Sequence, residues 1–128
     1  MVNVTMQEAL DFGKAYNFFN EVKLPLKAAY KLTKIKNAVE AEVEIYRTKF
    51  QEIVDTYAKK DEEGNLMYNE DGTQILIKDG MVMECNEKLE ELHSLDIEIE
   101  NYNLTIEDLG EDIEVTTEDL DALMPFLS

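Results

Sequence analysis

The chain has 128 residues, 45% of them apolar, and a formal net charge of −17; a chain of this length folds as one domain that buries roughly two thirds of its unfolded surface. That apolar content argues against a wholly disordered acidic polymer, and the single cysteine, Cys85, cannot close an intrachain disulfide. No apolar run approaches the ~20 residues that span a bilayer, and no basic segment followed by an apolar run opens the chain, so the expectation is a cytoplasmic protein with no membrane partner. The charge is divided unevenly. Residues 1–60 hold ten Lys and Arg against eight Asp and Glu, whereas residues 61–128 hold two against twenty-one. Such asymmetry predicts an acidic face for a partner.

Thr5-Met6-Gln7-Glu8 carries a capping-box pattern, in which threonine and glutamate side chains satisfy each other's free backbone amides. A first helix is expected from there to about Asn20, with Ala9, Phe12, Tyr16 and Phe19 on one buried face. A second opens at Leu24-Pro25 and runs to about Lys60. Its apolar positions, Leu32, Ile35, Val39, Val43, Tyr46, Phe50, Ile53 and Tyr57, follow the period of a straight amphipathic helix rather than that of a coiled coil. At ~1.5 Å per residue it reaches roughly 50 Å. The helix expected over Val82 to about Leu95, with Val82, Cys85, Leu89 and Leu92 on one face, is too short to cover it.

Between these helices the turn signals Asp61-Glu62-Glu63-Gly64, Glu70-Asp71-Gly72 and Lys78-Asp79-Gly80 bracket Leu66–Tyr68 and Ile75–Ile77, which fit a β-hairpin closing at Asp71-Gly72. Leu95 to Glu100 alternates apolar and acidic residues, the pattern of a strand with one wet face. Thr116-Thr117-Glu118-Asp119-Leu120 predicts a capped short helix ending before Pro125. The fold class is therefore α+β, mostly helical: one domain over 1–128, made of a near-neutral helical part (1–60), a β-hairpin (61–80) and an acidic helix and tail (81–128).

The segments Lys23 to Leu32, Lys60 to Asn65, Asn86 to Leu92 and Thr116 to Leu120 together resemble small bacteriophage and prophage proteins of uncharacterised function. The resemblance implies a viral origin and residence in the cytoplasm of the bacterial host; the expected partner is a host or phage protein, with association to the virion as the alternative location. It transfers no catalytic residue.

Motifs for chemistry are sparse. His93 is the only histidine and Cys85 lies eight residues before it, too far along one helix for the two to meet. One Cys and one His do not make a structural zinc site. Counting back from Gly64, Gly72 and Gly80 places Lys59, Met67, Ile75 or Ile77 where an EF-hand needs oxygen ligands. No Gly-Lys-Ser/Thr phosphate loop occurs. Neither a catalytic set, a cofactor nor a metal is expected. Lys23, Lys27, Lys31 and Lys34 form a helical ridge that can meet phosphates, an acidic surface or this chain's own acidic half. The net charge of −17 opposes direct nucleic-acid binding.

Two functional readings follow. In the first, the carboxylates of Asp96, Glu98, Glu100, Glu107, Asp108, Glu111, Asp112, Glu114, Glu118, Asp119 and Asp121 imitate a phosphate backbone and occupy the nucleic-acid cleft of a host or defence protein. Its plain rival is a charge that serves solubility alone. In the second, Tyr46, Phe50, Ile53 and Tyr57 form the seam of a homo-oligomer that serves virion assembly as scaffold, chaperone or connector.

Overall fold

The computed structural model describes residues 1–128 and runs β1 (Val2–Thr5), α1 (Met6–Glu21), α2 (Leu26–Tyr57), α3 (Val82–His93), β2 (Asp96–Ile99) and α4 (Thr117–Leu123). Short 3-10 turns occupy Glu107–Leu109 and Met124–Phe126. The architecture is mostly helical α+β, four helices beside a two-stranded antiparallel sheet. Contacts group the chain into two units, Met1–Ile45 with Ser94–Ser128, and Tyr46–His93.

In the first unit β1 passes into α1 without a loop. Thr5 accepts from the Glu8 amide at 3.1 Å, and Glu8 Oε1 accepts from the Thr5 amide at 2.9 Å, so the capping box is complete. The Met6 amide donates to Leu95 O, tying the helix start to the residue before β2. Antiparallel pairing sets Val2 opposite Ile99, Asn3 opposite Glu98, Val4 opposite Ile97 and Thr5 opposite Asp96. Because side chains alternate across a strand, Val4, Ile97 and Ile99 are buried while Asp96 and Glu98 face out. β1 was not foreseen. Helix α1 buries Ala9, Phe12, Ala15 and Phe19, and the Phe12 ring lies 4.7 Å from that of Phe126. Ala28, Leu32, Ile35 and Val39 of α2, with Leu104, Leu109 and Leu123, are also buried in this unit.

Helix α2 starts one residue after its proline: Pro25 O accepts the first helical bond, from Ala29, so Pro25 caps the helix rather than entering it. Its apolar stripe is buried at Leu32, Ile35, Val39 and Tyr57, whereas Val43, Tyr46 and Ile53 are half-buried and Phe50 is 37% exposed.

The second unit replaces the expected hairpin strands with single bridges, Tyr68 to Ile75, Lys60 to Leu66 and Ala58 to Ile77. The reason is topological. Lys59 N donates to Leu76 O, Leu76 N to Met67 O, and Met67 N to Lys59 O, so three segments close a ring of backbone bonds. Each segment bridges to both others, and three segments paired in a ring cannot extend as a flat ladder. The turn at Asp71-Gly72 is present, closed by the Gly72 amide on Asn69 O. Helix α3 buries Cys85 and Leu92, but Val82, expected on the same face, is 52% exposed because it sits in the first turn.

Phe12 is fully buried against Phe126, so Phe12→Ala is expected to lower unfolding free energy by about 3–5 kcal/mol. The exposed Leu26→Ala change should stay within about 0.5 kcal/mol. Urea denaturation of both variants checks the contrast.

Candidate functional site

The acidic residues singled out in the sequence all fall in the unit Met1–Ile45 with Ser94–Ser128. Strand β2 presents Asp96 and Glu98 on its wet face, followed by exposed Glu100. Alternate residues of a strand lie roughly 6.8 Å apart, so this row repeats at about twice the ~3.4 Å axial rise between phosphates of one DNA strand. Glu100 also accepts a hydrogen bond from Tyr102; burial, then this carboxylate, pushes the Tyr102 phenol up. Glu107, Glu111, Asp112, Glu114, Glu118 and Asp121 are exposed, and Asp119 is half-buried.

Asp108 behaves differently. Its Oδ2 lies 2.8 Å from Lys31 Nζ and accepts from the Thr105 amide at 3.1 Å, while its own amide donates to Thr105 Oγ1 at 3.2 Å. Lys31 also donates to Asn103 O at 2.7 Å. The two side chains are only 16% and 13% exposed, and Lys27 stands 4.0 Å from Asp108 Oδ1. The Lys31 hydrogen bond, then that from Thr105, holds the Asp108 carboxyl below the usual carboxylate range. Part of the lysine ridge thus docks on the chain's own acidic half. Asp108 is a structural anchor for the acidic segment, and the other ten carboxylates stand outside ion pairs.

An open groove of about 590 Å³ lies between α1 and α4. Glu8 and Asp11 from α1 join Glu118, Asp119 and Asp121 from α4 around it, over Ala15 and Ala122, with Lys14 as the one cation. Glu8 and Asp11 were missed in the sequence because they belong to the near-neutral half. Their signal lies in spacing: one turn apart, they flank a buried face that meets a second acidic helix.

The seam residues Tyr46, Phe50, Ile53 and Tyr57 all fall in the unit Tyr46–His93, with Ile53 half-buried. Tyr57 is buried, the Tyr46 hydroxyl is hydrogen-bonded to His93 Nε2 at 2.9 Å, and Phe50 lies against Tyr46 with ring centroids 5.8 Å apart. His93 Nδ1 is 2.7 Å from Leu89 O; a carbonyl only accepts, so Nδ1 carries a proton and donates to it. Burial pushes the Tyr46 phenol and the Cys85 thiol up, the wrong direction for a nucleophile. Eight residues separate Cys85 from His93 along α3, a rise of roughly 12 Å. No group of three or more His, Cys, Asp or Glu side chains is arranged to hold a metal ion, and no helix is long and apolar enough to cross a membrane.

No protein-family model, no curated protein and no solved structure matches the chain.

The lowered Asp108 pKa fixes a sign. A carboxyl more acidic in the fold than in the unfolded chain contributes stability above the unfolded value of about 3.9, and loses it as pH falls through the folded value. Asp108→Asn is therefore expected to be less stable than the parent at neutral pH. The gap should close below about pH 4, as read from denaturation midpoints across pH.

Proposed function

We propose that this chain is a non-enzymatic binding protein whose acidic face occupies a basic, nucleic-acid-handling surface of another protein, within the phage and bacterial-host setting that its sequence resemblance implies. One observation carries the reading: ten carboxylates without ion-pair partners lie on a single unit, three of them in a row along β2 and just past its end and three beside Glu8 and Asp11 around the groove between α1 and α4. Unpaired like charges destabilise a compact state through mutual repulsion, and a cationic cleft relieves that repulsion. The row along β2, at about twice the ~3.4 Å axial phosphate rise of one DNA strand, steps with every second phosphate. Two small side chains, Ala15 and Ala122, leave the groove open to a long basic side chain. Against catalysis stands His93, with both ring nitrogens engaged by Leu89 O and Tyr46.

Affinity capture of the tagged protein from a host lysate, washed at low and at high salt, tests the reading. The expected result is a nucleic-acid-handling or defence protein retained at low salt and released at high salt. The triple change Asp96→Asn, Glu98→Gln, Glu100→Gln should weaken its retention. A partner held equally at both salt concentrations, or equally by the triple variant, contradicts the reading.

A further inference from the structure

We propose that the Asp79–Gly80 peptide is a site of spontaneous isoaspartate formation, and that folding selects it over the chemically equivalent Asp71–Gly72 peptide. Both aspartates are exposed and both precede glycine, which has no side chain to shield its amide nitrogen. The two turns differ in what that nitrogen does. In Asn69–Gly72 the Gly72 amide closes the turn, donating to Asn69 O at 3.0 Å. In Lys78–Met81 the closing donor is the Met81 amide, on Lys78 O at 3.0 Å. Gly80 stands at the third position with φ +77° and Asp79 at the second with negative φ, the signature of a type II turn. The Gly80 N–H makes no hydrogen bond within the protein.

The electrophile is equally open. The Asp79 side chain is 94% exposed, and its one charged partner is Lys59 Nζ, 2.9 Å from Oδ1, an exposed pair of the kind that restrains weakly.

The Gly80 nitrogen gives its proton to solvent and forms a bond to Cγ of Asp79. The carboxyl hydroxyl leaves as water and a five-membered succinimide results. One water then opens the ring at either carbonyl, returning aspartate or giving isoaspartate. Mass and oxidation state are unchanged. Because the leaving oxygen departs from the protonated carboxyl, the conversion is faster in mildly acidic than in alkaline buffer. The product lengthens the main chain by one methylene in the turn that leads into α3.

The test is to age the full-length folded protein in mildly acidic buffer, digest it with chymotrypsin, and label isoaspartate with the isoaspartyl methyltransferase and radioactive methyl donor. Cleavage after Tyr68, Leu76 and Met83 places Asp71 and Asp79 inside different peptides. Label is expected in several-fold excess on the Asp79 peptide, with the excess lost when the same ageing is done in urea. Equal labelling of the two peptides in the folded protein, an excess on Asp71, no label at either, or an Asp79 excess that persists in urea would each overturn the proposal.

Discussion

The ammonium of Lys31 lies 2.7 Å from Asn103 O and 2.8 Å from Asp108 Oδ2, and the course of the C-terminal segment depends on this shared donor. Between β2 and α4 the chain has no strand and only one short 3-10 turn. Its order has to come from side chains. Asn103 takes a left-handed conformation, φ +58°, with its amide on Asn101 Oδ1, which asparagine tolerates better than most residues. The carbonyl so directed meets Lys31. Two residues on, Thr105 and Asp108 satisfy each other's backbone amides, and the carboxylate turns its remaining capacity to the same ammonium. Leu104, between these anchors, is fully buried, and its carbonyl accepts from the amide of Ser128. One lysine of α2 thereby fixes the start of the segment that carries most of the acidic face.

This arrangement separates two uses of negative charge. Asp108 is enclosed, paired and hydrogen-bonded, and so holds structure together. The carboxylates of β2 and α4 have no such partners and repel one another, an energetic burden borne by the apolar packing of Phe12, Phe126, Leu109 and Leu123 beneath them. The groove between α1 and α4 sets Glu8 and Asp11 beside Glu118, Asp119 and Asp121. Where like charges lie this close, a cationic surface binds by relieving repulsion as well as by direct attraction.

Much of the fold was legible from the residues. The Thr5–Glu8 capping box, the alternation over Leu95 to Glu100 and the Thr116 cap each specify local geometry through backbone amides that have few other partners, and each appears as expected. The strand Val2–Thr5 went unread although Val-Asn-Val-Thr alternates, because four residues at a chain end carry too little pattern without the partner strand. The Thr105–Asp108 clasp went unread despite having the same threonine-x-x-acid spacing as the other caps, since it closes a 3-10 turn and not a helix. The ring formed by Lys59, Met67 and Leu76 depends on three-way pairing, which no single segment encodes. For the candidate site, the acidic row was visible in composition. The groove was not, because Glu8 and Asp11 lie more than a hundred residues from the carboxylates they join.

Lys31 organises the start of the acidic segment. Native-state hydrogen exchange on the parent and on Lys31→Met tests it most directly, read at the amides of Thr105, Asp108, Leu109 and Ser128, all hydrogen-bonded in the fold. These amides are expected to lose protection in the variant while those of α1 keep theirs. Unchanged protection at all four would contradict it.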